Sequence, residues 1–246
     1  MNRPTLTVMS DKKIAVITGG GSGIGAAAAE ALAGDGYHVV VAGRRVEKLE
    51  EVAARTGGTA VELDVTSDES VAAFAAEVGA FGRVDVLVNN AGGAHGLDTL
   101  READLSDWQV MYDTNVLGVV RVTRALLPLI DAAEGLIINI GSMAAFTAYP
   151  GGSGYNAAKF GLRALTRAFR MEEAGNPIRI TEIDPGRVAT DFSLVRFKGD
   201  ASKADAVYAD KLNLTAGDIA EAIRWVASLP KHVNIDTMNI MPRDQA

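Results

Sequence analysis

The feature of this sequence that most constrains its fold is the alternation of short apolar runs with longer segments of helical periodicity. Runs such as IAVIT and LIINI are nearly continuous in apolar residues, as expected for strands buried on both faces. Strands are predicted at residues 14–18, 38–43, 59–63, 84–89, 135–140, 178–183 and 237–241. Helices are predicted between them, at residues 25–34, 45–55, 67–81, 108–132, 155–175 and 216–228. This alternation predicts an α/β fold with a Rossmann-type doubly wound parallel sheet of about seven strands and helices on both faces.

The chain has 246 residues and neither an internal repeat nor a low-complexity linker, which indicates a single domain. We expect residues 1–10 to form a flexible N-terminal tail and residues 11–246 to form the domain. Residues 192–213 follow a predicted strand but contain charges and no clean period. We interpret them as an excursion over the carboxyl edge of the sheet, where a substrate would bind.

Composition excludes several classes of function. The formal net charge is -7, which argues against a broad surface for nucleic acid. The absence of cysteine excludes disulfides and thiolate metal sites, and the three histidines lack metal-ligand spacing, so no metal is expected. No apolar run approaches the ~18 residues that a membrane span needs, and the N-terminus lacks the apolar core of a signal peptide. The sequence therefore predicts a cytoplasmic protein.

A glycine-rich turn follows the first predicted strand and precedes a helix, with the sequence TGGGSGIG at residues 18–25. Gly19, Gly23 and Gly25 would allow positive φ angles and let the backbone approach a pyrophosphate closely. The next helix, entered at Ile24, would offer its N–H groups to the phosphates, and Ser22 adds a hydroxyl donor. The alternative is a glycine-rich turn that binds nothing, but the position between strand and helix favours a dinucleotide.

Two arginines, Arg44 and Arg45, follow the second predicted strand. NAD-binding versions of this architecture carry an acidic residue near this point, and none lies between Tyr37 and Val46. Two guanidinium groups could instead bind a ribose 2′-phosphate through charge-assisted bonds. The alternative is a pair of solvated arginines at the start of a surface helix. We expect NADP(H) as the cofactor.

The next two predicted strands end in residues that suit the rest of a dinucleotide. Asp64 and Val65 follow the third strand, where a carboxylate could accept a bond from the adenine amine. Small or amide residues end the fourth strand and leave room for the cofactor, namely Asn90, Ala91 and Gly92. Each of these signals is weak by itself, since simple packing would explain it equally well.

The residues that suggest acid/base chemistry are Ser142, Tyr155 and Lys159. The four-residue interval between Tyr155 and Lys159 places both side chains on one face of a helix. An ammonium beside a phenol should lower the phenol's pKa towards neutrality, so that it could exchange a proton with a hydroxyl or carbonyl oxygen. Ser142 could donate to the same oxygen. Asn115 is a polar insertion in a long predicted helix and should need a backbone or water partner.

Taken in order and at their spacings, these motifs resemble the short-chain dehydrogenase/reductase family over essentially the whole chain. The resemblance implies a catalytic tetrad of Asn115, Ser142, Tyr155 and Lys159, with Tyr155 and Lys159 also contacting the cofactor. It further implies that the segment after the sixth strand contacts the nicotinamide carboxamide, through Pro185, Gly186, Val188 and Thr190. Many members are tetramers, so a homotetramer, or else a homodimer, is expected.

The C-terminal third is most similar to NADP-dependent serine and 3-hydroxy-acid dehydrogenases, in stretches such as FSLVRFKGD and HVNIDTMNIMP. This similarity implies a 3-hydroxy acid or serine-like substrate. A carboxylate needs a cation, and Arg187, Arg196 and Lys198 are candidates, with Arg196 first among them. The alternative, a surface arginine or an interface ion pair, explains Arg196 at least as well. Near the expected pocket, His95 is interpreted as a loop residue, and Tyr149 and Met143 as an apolar wall.

Two other functions remain open at this point. One is reduction of a 3-oxoacyl thioester or another bulky carbonyl, although an acidic carrier protein would need a basic face and the net charge is -7. The other is a non-catalytic dinucleotide sensor, which would have no need of the serine, tyrosine and lysine set.

Overall fold

The structure is a computed structural model that describes residues 12–245. Its seven strands form one parallel sheet in the order β3-β2-β1-β4-β5-β6-β7. The strands are β1 Ile14–Thr18, β2 His38–Gly43, β3 Thr59–Glu62, β4 Val86–Asn89, β5 Leu136–Ile140, β6 Arg179–Pro185 and β7 Thr237–Ile240. The predicted Rossmann-type sheet is confirmed. The expected N-terminal tail, residues 1–10, lies outside the described residues.

Helices cover both faces of this sheet. They are α1 Gly23–Gly34, α2 Val46–Thr56, α3 Asp68–Gly79, α4 Leu105–Tyr112, α5 Gly118–Ala133, α6 Ser153–Glu172, α7 Phe192–Arg196, α8 Ala201–Tyr208 and α9 Ala216–Ser228. One apolar core joins the sheet to α1, α2 and α9, and a second joins the opposite face to α3 and α5. No described helix combines the length and the apolar character that crossing a membrane requires.

The predicted helix at residues 108–132 is wrong as a single α-helix. The structure has α4, a π-helical turn at Asp113–Leu117 and then α5. The cause lies in one side chain, because Asn115 Nδ2 donates to the Met111 carbonyl at 2.7 Å. In an α-helix that carbonyl would accept the backbone N–H of residue 115. The competing amide therefore widens the turn, as π-bulges commonly do near functional sites.

Other boundaries differ from the predictions by a few residues. Helix α1 starts two residues earlier than predicted, at Gly23, and β6 continues two residues further, to Pro185. The segment at residues 192–213 contains α7 and α8. Because all strands are parallel, the residues that follow β1 to β6 lie along one edge of the sheet, the edge at which ligands of such folds bind.

Candidate active site

A cavity of about 640 Å³ opens along the carboxyl edge of the sheet. Residues that follow six different strands line it, together with parts of α6 and of the 192–213 segment. Of the residues predicted from the sequence for the cofactor and the chemistry, only Gly25 and Asn115 are absent from its lining. The cavity is therefore a single site in which the cofactor-binding and acid/base candidates meet.

The glycine turn forms one end of the cavity. Gly19 and Gly23 have φ angles of 64° and 52°, which favour glycine. At Gly25 a side chain would collide with the Gly19 carbonyl and with the Asn90 amide, so this glycine permits close packing and does not line the cavity. Asn90 Nδ2 donates to the carbonyls of Thr18 at 2.9 Å and Gly19 at 3.2 Å, which ties the β4 loop to the turn.

The start of α1 is built to face an anion. Its N-cap residue Ser22 makes no side-chain cap bond within the described chain. Instead, the Ser22 hydroxyl accepts a bond of 2.7 Å from Arg45 Nη2. Arg44 and Ile24 line the same end of the cavity. Exposed N–H groups and two guanidinium groups thus surround one space, a donor set that suits phosphate groups.

Asp64 supplies a carboxylate beside these cations. Its Oδ1 accepts bonds from the Thr66 backbone N–H at 3.0 Å and from the Thr66 hydroxyl at 2.7 Å. These bonds, together with Arg44 nearby, lower the pKa of the Asp64 carboxyl below its ordinary value. An ionised acceptor therefore lies next to Val65, where the sequence predicted a contact with an amine.

Ser142, Tyr155 and Lys159 meet at the other end of the cavity. Ser142 follows β5 and lines the cavity with Tyr155, and its hydroxyl accepts a bond of 3.1 Å from the Ala144 N–H. Tyr155 and Lys159 lie on one face of α6 and are only 8% and 6% exposed. Lys159 Nζ donates to the Ile140 carbonyl at 2.8 Å and lies 5.8 Å from the centre of the Tyr155 ring. The three side chains predicted to act together are thus neighbours.

The expected lowering of the Tyr155 pKa is wrong for the chain alone. Burial raises the pKa of the phenol above its ordinary value, and the nearby Ser142 hydroxyl and the Arg196 charge offset this only in part. Burial also lowers the pKa of Lys159, to about 8, against the attraction of Glu182 and Asp184. The sequence spacing correctly suggested the neighbours but gave no measure of how deeply they are buried.

Asn115 does not line the cavity, but it bonds Gly93, which does. Besides bonding Met111, its Nδ2 donates to the Gly93 carbonyl at 2.9 Å, and its Oδ1 accepts from the Gly93 N–H at 3.3 Å. A side chain at Gly92 would collide with Asn115 Oδ1, which accounts for that glycine. The predicted need for a backbone partner is confirmed. Its contacts hold the loop that follows β4.

Arg196 is the cation that reaches the reactive end. Its Nε donates to the Gly96 carbonyl at 3.0 Å, and its Nη2 donates to the Tyr149 hydroxyl at 3.2 Å. The guanidinium carbon lies 5.8 Å from the centre of the Tyr155 ring. Tyr149 and Met143 line the cavity as expected. Tyr149, however, contributes a hydroxyl to this group and is not only an apolar wall.

The other two candidate cations are occupied elsewhere. Arg187 bonds Asn213 at 2.8 Å and Asp244 at 2.9 Å, so it fastens the C-terminal residues to the loop after β6. Lys198 pairs with Asp107 at 2.9 Å and is largely exposed. His95 lies 3.8 Å from the same aspartate, in a surface loop, as the sequence suggested.

Sequence reasoning missed two groups of residues at the site. Phe192 packs its ring 5.6 Å from that of Tyr155, and Gln245 reaches the cavity from the C-terminus. Glu182 and Asp184 lie buried on β6 behind Ser142 and Lys159. The available signal for Glu182 and Asp184 was the presence of two acids in a strand predicted to be buried on both faces.

Comparison with known proteins gives concordant results. A model of the short chain dehydrogenase family matches residues 13–200. An uncharacterized oxidoreductase of Mycobacterium tuberculosis is 54% identical over 241 residues, covering 98% of this chain and 95% of that protein. An NADP-dependent 3-hydroxy acid dehydrogenase of Shigella flexneri is 40% identical over 241 residues, covering 95% and 96%. The closed form of serine dehydrogenase complexed with NADP+ superposes with a TM-score of 0.92 at 39% identity, covering 95% of this chain and 96% of that one.

Proposed function

The chain belongs to the short-chain dehydrogenase family and is an oxidoreductase, and from that premise we propose that it moves a hydride between NADP(H) and a 3-hydroxy acid or serine-like substrate. The observation that carries the proposal is the position of Arg196 within 5.8 Å of the Tyr155 ring centre, in the same cavity as the glycine turn. One cavity thereby contains Arg196 to bind an anion, Tyr155 to exchange a proton and the glycine turn to bind a dinucleotide. We assign the whole chemistry to one domain, with residues 192–213 as its substrate segment.

The cofactor proposal is supported by the donors around the glycine turn. The pyrophosphate would bind at the N–H groups of Gly23, Ile24 and Gly25, and the 2′-phosphate at Ser22, Arg44 and Arg45. Asp64 and Val65 would hold the adenine, and Asn90, Ala91 and Gly92 would border the adjoining ribose. Pro185, Gly186, Val188 and Thr190 would border the nicotinamide, which supplies the hydride or accepts it. The relative from Shigella flexneri is named as NADP-dependent.

The acid/base proposal assigns a proton to a defined atom. The Tyr155 hydroxyl would give its proton to the carbonyl oxygen during reduction, or take one from the alcohol during oxidation. Burial keeps this phenol protonated in the chain alone, the form that reduction requires. Ser142 would donate to the same oxygen, and Lys159 would add positive charge beside it. Asn115 would position the β4 loop through Gly93.

The substrate proposal concerns the end opposite the reacting carbon. Arg196 keeps guanidinium N–H groups beside Tyr149 and directly above the Tyr155 ring, so a carboxylate there would receive charge-assisted bonds. Serine and other 3-hydroxy acids carry their carboxylate two bonds from the reacting carbon. The relatives named as serine and 3-hydroxy acid dehydrogenases act on substrates of this class.

The proposal is tested by following NADPH absorbance with a panel of substrates. We expect turnover with serine or another 3-hydroxy acid, and with the matching semialdehydes in reverse. The Tyr155→Phe variant should bind NADPH but lose turnover by at least 100-fold, as expected for removal of a general acid. Faster reduction of an acetoacetyl thioester than of any semialdehyde would favour the bulky-carbonyl alternative. NADPH binding without any turnover would favour the sensor.

We also propose a homotetramer. Exposed apolar side chains lie on α4, α6 and the π-helical turn, and they include Leu105, Val110, Tyr112, Leu117, Phe160 and Met171. A concentration of exposed apolar side chains on elements that pack together commonly marks an interface between chains.

A further inference from the structure

Glu182 and Asp184 are two acids placed side by side in the interior of the protein. They lie two residues apart on β6, which places both on one face of the sheet, and they are 2% and 0% exposed. Within residues 12–245, three of their four carboxyl oxygens have no N–H or O–H donor, namely both oxygens of Glu182 and Oδ2 of Asp184. The nearby Thr166 hydroxyl gives its proton to the Leu162 carbonyl. Only Asp184 Oδ1 is satisfied, by the Ser142 backbone N–H at 2.9 Å.

The end of β5 is shaped to admit this pair. A side chain at Gly141 would collide with Asp184 Oδ1 and would come within 3.1 Å of Glu182 Cγ. Gly141 immediately precedes Ser142, so the glycine is what lets the Asp184 carboxyl reach the Ser142 N–H. The two acids are therefore part of how the reactive serine is placed.

Physical chemistry does not allow both acids to be ionised here. An isolated buried carboxylate costs several kcal/mol, and a second one beside it adds repulsion. Burial and the neighbouring carboxyl raise the pKa of Asp184 to about 8, and burial raises that of Glu182. A single proton between them would remove one charge and make one O–H···O bond between the two carboxyls, which involves two of the three unpartnered oxygens.

The titratable side chains that interact with the pair lie on α6. Lys159, Arg163 and Tyr155 face it from that helix. On the other side, the β7 partners of the two acids are Thr237 and Asn239, which carry no charge. A pair with one proton has a single negative charge, which matches the single positive charge of the buried Lys159.

We propose that Glu182 and Asp184 share one proton and act as a single buried negative charge that keeps Lys159 protonated and fixes Ser142 through its backbone N–H. The two acids are positioning residues that touch neither substrate nor cofactor. The expected effect on the reaction rests on the proposed roles of Lys159 and Ser142. The sharing of a proton by the two acids does not depend on the proposed function.

Amide substitutions test the pair because an amide has the shape and the neutrality of a protonated carboxyl. In Glu182→Gln or Asp184→Asn, the remaining acid ionises and the pair keeps its one negative charge. In the double variant the charge is gone. Removing it should lower the pKa of Lys159, which the charge raises, and also that of Tyr155, which Asp184 raises. Both groups must be protonated for carbonyl reduction, so both changes act in the same direction.

The kinetic readout is the pH profile of kcat/KM for semialdehyde reduction. We expect the alkaline limb of the double variant to move to lower pH by about 1 to 3 units, the size of shift that one nearby charge produces. The limbs of the two single variants should stay near that of the wild type. Single variants that each shift by about half as far as the double variant would overturn the proposal, because two separate charges would then be present in the wild type.

A second readout does not depend on turnover. Infrared spectra at pH 7 should show the carbonyl stretch of one protonated carboxyl in the wild type, and this band should be lost in both single variants. Absence of the band in the wild type would overturn the shared proton. If the band behaves as expected while no carbonyl substrate is reduced, the proposed function fails and the shared proton stands.

Discussion

In the proposed function, Arg196 is the residue on which the choice of substrate depends most directly. Its guanidinium is held by the Gly96 carbonyl and the Tyr149 hydroxyl, so it is already oriented before a substrate arrives. Lys198, two residues further along, points to Asp107 at the surface. Orientation before binding lowers the entropic cost of recognising a carboxylate. These two neighbouring cations therefore offer a matched comparison.

We expect Arg196→Met to raise the KM for a 3-hydroxy acid by about 10- to 100-fold, because a hydrogen bond between charged groups contributes roughly 1.5–3 kcal/mol. An uncharged ketone of similar size should lose much less, since it has no carboxylate to bind. Steady-state kinetics with both substrates checks this, and Lys198→Met serves as the control. Equal losses with both substrates would assign Arg196 to folding of the segment and not to recognition.

Arg44 decides the proposed preference for the phosphorylated cofactor. It lines the cavity beside Asp64, whereas Arg45 is already bonded to Ser22. We expect Arg44→Asp to raise the KM for NADPH at least tenfold and to improve the use of NADH. A carboxylate would repel the 2′-phosphate and accept a bond from a free 2′-hydroxyl. Arg55→Asp, at the far end of α2, makes the same change in net charge away from the cavity. An unchanged ratio of NADPH to NADH use in Arg44→Asp would contradict the proposal.

Among the elements, the π-helical turn between α4 and α5 has the clearest link to the site. It exists because the Asn115 side chain takes the Met111 carbonyl from the backbone. The same side chain makes two hydrogen bonds to Gly93 and so fixes the position of the loop after β4. A local deviation from helical geometry thus fixes one wall of the cavity in which we propose that the cofactor binds.

Replacing Asn115 by alanine should therefore have a structural as well as a kinetic effect. The Gly93 carbonyl would be left without its donor in a partly buried position, at a cost of about 1 kcal/mol in the free energy of unfolding. We expect kcat to fall as well, because the β4 loop loses its support. Denaturant unfolding and steady-state kinetics measure the two effects, with Arg124→Ala on the exposed side of α5 as the control. Wild-type stability in Asn115→Ala would contradict the assigned role.

The strands and the edge at which the site lies could be predicted from sequence, because buried parallel strands leave continuous apolar runs. The glycine turn and the spacing of Tyr155 and Lys159 were also readable, since both follow from local geometry. The π-helical turn was not, because the sequence does not show that the Asn115 side chain, which also bonds the distant Gly93, takes the Met111 carbonyl from the backbone. The raised pKa of Tyr155 depends on burial by α4, the π-helical turn and α7 together. Such effects arise only when separate elements meet.

At the scale of the whole molecule, the apolar surface is unevenly distributed. Leu105 is 69% exposed and Met171 is 77% exposed, and both lie on the neighbouring helices α4 and α6. Leu117 on the π-helical turn and Phe160 on α6 are also exposed. Helix α6 also carries Tyr155 and Lys159 on its buried face. An interface formed on its outer face would therefore restrain the helix that holds the acid/base residues.

This arrangement predicts both the assembly and what its loss would do. Sedimentation velocity should give a particle of about four times the chain mass of 25.7 kDa. The double variant Leu117→Glu and Phe160→Glu should sediment as a smaller species, because charges placed in an apolar interface are costly to bury. Its turnover should fall and its Tm should depend less on protein concentration, since folding would no longer be linked to association. Val46→Glu, an exposed apolar residue on α2, is the control and should leave the assembly intact. A wild-type chain that sediments as a monomer would contradict the homotetramer, and α6 would then depend only on its packing within the chain.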